Sequence, residues 1–541
     1  MSKPDHDSKR TADVLIVGAG ASGAAVAAML SEAGFDVVCI EQGQWQDASK
    51  YPTVESDYEL RQMSSGSFNP NKRKLPEDYP VNVDDSAIEP VMFNGVGGST
   101  ILWAAHTPRL HPSDFRVKSL DGVADDWPIS YEDLEPWYDL NDHIMGCAGI
   151  AGDPANPPRS DRQMPPVPIG RDGEMLAKAF DRLGWHWWPS DNYVNSTRYG
   201  EGRDACNFCG YNMMGCYQQA KSSTDLNYWP RAIAQGAELV TGARVREITT
   251  DSSGRATGVN YLDSEGNDQH RAAMAVVVAA NGVGTPRLLL MSDSEKHPNG
   301  LANSSGMVGK NLMFHVYAGV TGIFPEHDEP WVGPAANMIM SQEFYETDPS
   351  RGFVRGYSYQ IARGGQGPAG AARGGSPRVP WGANHHSVMK RRFGNTVGLG
   401  VIGDDLPEEH NTVTLDPRLR DSSGLPAPKI TYRVSDNSRA LLDHGLAQGQ
   451  KVLEEAGADE IMVNRFSREA GWHLMGTARM GDDPNRSVVD SNGQAHDVDN
   501  LFVVDGSVFV TGGAVNPTPT LQAFALRTAD YISNERLDLK A

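Results

Sequence analysis

The chain has 541 residues, beyond the size at which one hydrophobic core keeps growing, so at least two domains or one interleaved assembly are expected. A hydrophobic fraction of 39% with 57 glycines and 34 prolines describes a loop-rich globular protein, and a mean hydropathy of -0.45 excludes a polytopic membrane protein. The formal charge of -21 repels phosphate backbones and anionic lipid, which excludes nucleic acid and membrane as partners.

The opening MSKPDHDSKR is polar and mixed in charge, and the apolar stretch after it is broken by Gly18, Gly20 and Gly23 instead of running to a cleavage site. A cytoplasmic protein is expected. The five cysteines are an odd number spread over a long chain, so reduced thiols are expected in place of a disulfide framework.

From Asp13 a β-branched apolar run leads into a glycine turn, an Ala-rich helix and a second apolar run, Val37 to Ile40, ending at Glu41. That order predicts a strand, a crossover helix and a parallel strand. A polar stretch to about residue 85 precedes the Gly-rich loop Asn94-Gly95-Val96-Gly97-Gly98-Ser99, and residues 151–170 have the Pro and Asp content of a surface connection. Strands are predicted at Glu238 to Val240, Arg244 to Ile248 and Ala275 to Ala280, the last followed by a helix from Pro286. Residues 310–470 hold short alternating runs, such as Thr396 to Ile402 and Thr412 to Leu415, suited to an antiparallel sheet and a substrate domain. Inside them, residues 363–382 read as a mobile loop, with Trp381 beside it as a candidate stacking surface. A helix from Thr520 to Asn534 ends the chain.

Gly18-x-Gly20-x-x-Gly23 follows a strand and opens a helix, with Glu41 placed at the end of the second strand to grip a ribose. Gly18 permits the turn, Gly20 lets backbone approach a pyrophosphate, Gly23 lets helix pack on strand, and the helix N-terminus attracts the negative charge. This predicts a bound dinucleotide and leaves NAD and FAD undistinguished.

Together with that fingerprint, the Gly-rich loop at 94–99, Ala279-Ala280-Asn281-Gly282, His473-x-x-Gly476-Thr477-x-x-Met480-Gly481 and Asp505-Gly506-Ser507 to Asn516-Pro517-Thr518 resemble the glucose-methanol-choline oxidoreductases. The resemblance implies FAD and an α/β (α+β overall) fold, a Rossmann-like FAD-binding domain interleaved with an antiparallel-sheet substrate domain. Residues 8–50, 85–150, 230–310 and 470–541 would form the first, and 51–84, 151–229 and 311–469 the second. Within the family the chain is most similar to bacterial pyranose and glycoside oxidases and to the flavin subunits of gluconate and glucose dehydrogenases. Gly97-Gly98-Ser99-Thr100-Ile101-Leu102-Trp103 is similar to the pyranose oxidase segment in which a His tethers the flavin, and Leu102 stands in that place, so non-covalent FAD is expected. Cys206-Asn207-Phe208-Cys209-Gly210, continuing to Cys216, resembles the dehydrogenase branch. Three thiolates suffice for a three-iron cluster. The chain departs from that signature at Tyr211 and Asn212, and reduced structural thiols are the preferred reading of Cys206, Cys209 and Cys216.

The resemblance makes His473 and Asn516 the catalytic pair. A histidine can take the hydroxyl proton and, once cationic, stabilise negative charge, while an amide can hold the substrate oxygen. Asp505 and Gly506 would lie near the pyrophosphate and ribityl chain, Thr518 near the isoalloxazine, the backbone amides of Gly97, Gly98 and Ser99 against the cofactor, and the Val245 backbone near adenine. His315, His385 and His386 are candidates to meet sugar hydroxyls, with a solvated or satisfied histidine the preferred reading of each. The expected reaction oxidises a secondary alcohol of a sugar or glycoside to a ketone, as in pyranose oxidation or glycoside 3-oxidation, with electrons passing to dioxygen or a soluble acceptor. The alternatives are the flavin subunit of a gluconate- or glucose-type dehydrogenase complex with an iron-sulfur cluster, and a non-catalytic flavin-binding redox protein.

Overall fold

Ala12–Val17 (β1) is buried at every position, the pattern of a parallel strand covered on both faces. In the computed structural model, which describes residues 10–325, 332–335, 337–362, 367–373 and 378–540, the helix Ala21–Glu32 (α1) carries the chain from β1 to its parallel neighbour Val37–Glu41 (β2), with Val14 opposite Val37. Glu238–Thr241 (β5) extends the array beyond β2. Asp268–Val278 (β8) lies on the other side of β1, and Leu501–Val503 (β16) beyond β8, all parallel. The first half of β8 leaves this array to pair antiparallel with Ala256–Leu262 (β7), which pairs in turn with Arg244–Thr250 (β6).

The helix expected from Pro286 starts earlier, as Asn281–Met291 (α2). Asn281 supplies the start, its Oδ1 accepting from the amides of Val283 and Gly284. Pro286 lies inside the helix and has no amide for the Gly282 carbonyl. That carbonyl accepts from Thr477 Oγ1 at 2.8 Å instead, so a tertiary partner repairs the break and ties the His-x-x-Gly-Thr segment to α2.

The second sheet is antiparallel throughout. Its order is Glu460–Asn464 (β15), Val316–Ile323 (β9), Thr396–Gly403 (β12), Tyr357–Ala362 (β11), Asn337–Ser341 (β10) and Trp188–Pro189 (β4). Strand alternation divides its residues. Val316, Val320, Tyr357, Tyr359, Val397, Leu399 and Val401 join one apolar core with Leu441, Leu446 and Leu453 of the helix Asp436–Ala456 (α3). Tyr317, Gly319, Thr321, Gln360, Gly398 and Gly400 turn the other way and line a cavity shared with the first sheet. Thr412–Arg420 (β13), expected in the same sheet, pairs elsewhere. It joins Pro426–Tyr432 (β14) and Asn82–Ser86 (β3) in a separate three-stranded sheet.

The stretch read as one mobile loop holds a helical turn, Pro368–Arg373, whose Ala369 and Gly370 amides donate to Glu59. Residues 363–366 and 374–377 of that stretch lie outside the described residues. The C-terminal helix spans Thr518–Glu535 (α4), with Pro519 in its first turn, and packs on α1. Among the described residues no helix is long and apolar enough to cross a membrane.

Candidate active site

The two larger sheets enclose a cavity of about 740 Å³, within the range of ligand sites. Gly18, Gly20, Glu41, Gly98, Ser99, Val245, His473, Asp505, Gly506, Asn516 and Thr518 line it. Gly23 and Gly97, also predicted for the cofactor, lie outside its lining. A Cβ on Gly23 would sit 2.0 Å from the Gly18 carbonyl oxygen, so Gly23 serves the packing of α1 on β1. The Gly97 amide donates to the Ala19 carbonyl at 3.0 Å, and the Gly98 amide to the Gly95 carbonyl at 2.8 Å. Both amides thus have partners within the chain. What Gly98 offers is its lack of a side chain: it has φ +52°, and a Cβ there would lie 2.7 Å from the Gly20 Cα. The two glycine turns touch, and their contact shapes the cradle.

Helix α1 opens into this cradle through Ala21 and Ser22, and its N-cap Gly20 provides no side-chain cap. Its first amides are thus free to meet an anion, with the helix dipole behind them. Glu41 stands at the end of β2, its Oε2 accepting from the Ala19 amide at 2.9 Å and its Oε1 from the Gly43 amide at 2.8 Å. Burial raises its pKa and those amides pull it back. Asp505 accepts from the Asn281 amide at 3.0 Å and the Ser507 amide at 2.9 Å, and from Thr285 Oγ1. A helix end for a diphosphate, an acidic strand end for a ribose and a glycine contact for close backbone approach fit FAD. Leu102, at the position of a tethering histidine, packs with Tyr51 and Ile101, and its saturated side chain offers no nucleophile for a tether.

At the far end of the cavity His473 and Asn516 stand side by side, 43 residues apart in sequence, with His473 Nε2 3.4 Å from Asn516 Nδ2. Asn516 sits at the foot of α4. Its Oδ1 accepts from Gln360 Nε2 at 2.6 Å and pairs with His106 Nδ1 at 3.0 Å. His473 is held from behind, its Nδ1 hydrogen-bonded to His315 Nδ1 and 3.4 Å from the Tyr317 hydroxyl. An isolated antiparallel bridge between Met313 and Met475 lays these two histidine segments alongside each other. Burial pulls the His473 pKa well below 6.5, with the neighbouring His315 and His106 adding to the effect. Burial likewise lowers His106 to about 4. The site therefore holds neutral imidazoles, the form that accepts a proton.

His315 does not reach the cavity. It is fully buried behind His473, with Nε2 2.6 Å from the Gly513 carbonyl oxygen, which matches the satisfied-histidine reading and not contact with sugar hydroxyls. His385 and His386 lie off the cavity as well. Trp381, 96% exposed, stacks on His385 and is not among the residues that line this cavity. Cys206, Cys209 and Cys216 carry free thiols, with Cys206 pushed up to about 11 by burial. Among the described residues no three His, Cys, Asp or Glu side chains are grouped to hold a metal ion. Sequence reasoning missed Gln360, His106 and Tyr317. Gln360 and Tyr317 had a signal, since each alternates with core residues along its strand, whereas His106 had none.

Family models for GMC oxidoreductases match residues 172–317 and 407–525, and a model for a FAD binding domain matches residues 11–53. The chain is 44% identical to the 2-methyl-1,2-propanediol dehydrogenase of Mycolicibacterium austroafricanum, covering 97% of this chain and 96% of that one. It is 30% identical to the fructose dehydrogenase large subunit of Gluconobacter japonicus, covering 97% of this chain and 98% of that one. The crystal structure of pyridoxine 4-oxidase from Mesorbium loti superposes with a TM-score of 0.64 over 96% of this chain and 99% of that one, at 17% identity, and shows the shared fold. With the dinucleotide cradle and these full-length matches in place, the chain belongs to the GMC oxidoreductases, as a FAD-dependent enzyme that oxidises CH–OH groups.

Proposed function

We propose that the enzyme oxidises a secondary alcohol of a sugar or glycoside to the ketone, with His473 as base and Asn516 as the group that holds the reacting oxygen. The observation that carries this reading is the 3.4 Å approach of His473 Nε2 to Asn516 Nδ2 at the cavity wall. An alcohol oxygen placed between them can give its proton to the one and accept a hydrogen bond from the other. Held non-covalently in the cradle of α1, Glu41 and Asp505, FAD supplies the acceptor for the hydride.

The chain's own groups do the rest. Gln360 and His106 both lie on Asn516 Oδ1, which turns the amide nitrogen toward the substrate oxygen. Burial keeps His473 unprotonated, so it is ready to accept a proton without first losing one. Once protonated it stands beside the growing negative charge and offsets it. Gly319, Gly398 and Gly400 leave room above the sheet for a ring.

Two relatives bear on the substrate. The 44% relative is named for a 1,2-diol and favours a second reading in which a small vicinal diol is oxidised. The 30% relative is named for fructose and supports the sugar. Electrons leave to dioxygen or a soluble acceptor. In the competing arrangement, a gluconate-type complex, Cys206, Cys209 and Cys216 would carry an iron-sulfur cluster.

The deciding experiment is the absorption spectrum of the purified protein, recorded without air before and after adding glucose, gluconate, a plant glycoside and 2-methyl-1,2-propanediol, together with iron analysis. Bleaching of the flavin bands by a sugar supports the main reading, and bleaching by the diol alone supports the second. No bleaching by any of the four overturns both, and stoichiometric iron with the flavin establishes the complex instead.

A further inference from the structure

We infer that His315, outside every motif of the sequence, is a positioning residue that decides which nitrogen of His473 carries the proton; this rests on the reading of His473 as the base. The Gly513 carbonyl can only accept. His315 Nε2, 2.6 Å away, must donate to it. A neutral imidazole has one N–H, so His315 Nδ1 is an acceptor, and the bond between the two Nδ1 atoms is donated by His473. His473 Nε2 is left bare, with its lone pair at the cavity.

The other end of the network gives the same assignment independently. Gln360 Nε2 and His106 Nδ1 both lie on Asn516 Oδ1. The amide nitrogen of Asn516, which can only donate, is therefore the atom facing His473 Nε2 at 3.4 Å. A donor on that side requires an acceptor at Nε2. The network runs in one direction, from Gln360 and His106 through Asn516 to His473, and from His473 through His315 to the Gly513 carbonyl.

A cationic His315 would donate through both nitrogens and reverse this. His473 would then accept at Nδ1 and present an N–H where the reaction needs a lone pair. Burial opposes the cation more strongly than the Asp404 carboxylate and the Gly513 carbonyl favour it. Without His315, the neighbour left at His473 Nδ1 is the Tyr317 hydroxyl at 3.4 Å, which donates or accepts equally well. The Asn516 amide, 3.4 Å from Nε2, would then be the main group still favouring Nδ1–H, and the Nε2-protonated tautomer would gain population. When Nε2 takes the hydroxyl proton, His473 becomes an imidazolium that keeps its Nδ1–H on His315. His315 stays neutral, and no second proton moves.

The test is nitrogen-15 NMR of histidine-labelled holoenzyme, comparing wild type with His315→Leu and His315→Gln, with His473→Gln identifying the His473 signals. Wild type is expected to show His473 protonated at Nδ1 and bare at Nε2. His315→Leu should average these signals toward a tautomer mixture, and His315→Gln, whose amide oxygen still accepts from Nδ1–H, should restore them. With whichever of the four alcohols reduces the wild-type flavin, His315→Leu should slow the limiting anaerobic reduction by at least about tenfold with KM little changed, and His315→Gln should recover part of the loss. A wild-type His473 protonated at Nε2, or signals unmoved by His315→Leu, overturns the inference. If instead His473→Gln reduces the flavin as fast as wild type, the base reading fails, whatever the spectra show for the tautomer.

Discussion

Replacing Gly98 by alanine should weaken FAD binding through a clash that the structure locates. The residue has φ +52°, a conformation that costs an L-residue roughly 1–2 kcal/mol. Its new Cβ would also stand 2.7 Å from the Gly20 Cα, whereas carbon atoms in contact prefer about 3.5–4.0 Å. The two turns must open by close to an ångström, and neither can yield like a flexible side chain, because both atoms belong to backbone. Forced separations of this kind cost about 1–3 kcal/mol. The sum, roughly 2–5 kcal/mol, falls on the surfaces that would embrace the diphosphate, and corresponds to between about thirtyfold and a few thousandfold in dissociation constant. Gly34→Ala is the control: Gly34 has φ +78° but nothing within 4 Å of the new methyl group, and it lies beyond the far end of α1. It should cost about 1 kcal/mol of stability and leave FAD affinity unchanged. Titration of deflavinated protein with FAD, followed by flavin fluorescence and paired with thermal melts, separates the two effects. A dissociation constant for Gly98→Ala within about threefold of wild type would refute the touching-turn account of the cradle.

His473→Ala should lower the limiting rate of anaerobic flavin reduction by about 10²–10⁴-fold while FAD content stays full, as read by stopped-flow absorbance. Because burial holds the His473 pKa below 6.5, kcat/KM should be level through neutral pH and fall only in acid; Asn516→Asp puts a carboxylate beside the imidazole, favours its cation and should move that acid limb up by about one to three pH units. His106 has a folded pKa of about 4 against an ordinary 6.5, so between these values the unfolded chain binds the extra proton and wild-type stability drains away as pH falls. The loss should reach about 3 kcal/mol near pH 4. In His106→Phe this loss is absent, and the melting-temperature gap between wild type and variant should narrow on acidification; a constant gap would show that His106 takes up its proton as readily in the folded protein as in the unfolded chain.

The nucleotide half was legible because its signals are local. A β-branched run, a glycine turn and an acidic strand end lie within 30 residues of Ala12, and β1, α1 and β2 follow them closely. His473 and Asn516 were legible only through the motifs around them, since nothing in their spacing says that a turn before Gly476 and the foot of α4 meet. What stayed hidden was set by tertiary partners. The start of α2 was misplaced because Pro286 looks like a helix opening, and the hydroxyl that satisfies the Gly282 carbonyl comes from Thr477, 195 residues away. Trp381 looked like a candidate binding aromatic by type and neighbourhood, yet whether an indole faces a cavity or solvent depends on the path of the irregular segment that carries it, which the flanking glycines and prolines do not encode. Gln360 sits on the face of β11 opposite Tyr357, Tyr359 and Ile361. A polar residue alternating with buried tyrosines therefore marks the inner wall once the strand is known.

The bare patch on the antiparallel sheet makes selectivity adjustable independently of chemistry. At Gly398 the nearest atom to an added methyl is Thr321 Oγ1 at 3.5 Å, and at Gly400 it is the Gln360 carbonyl oxygen, also at 3.5 Å. Ordinary contact distances of this kind mean that alanine fits at either place without moving a strand. Each such methyl would raise the platform beneath a bound molecule while leaving the imidazole and amide where they are. Bulk could thus be rationed one carbon at a time, and variants discriminating between a ring and a short open-chain diol are reachable by single steps on β12.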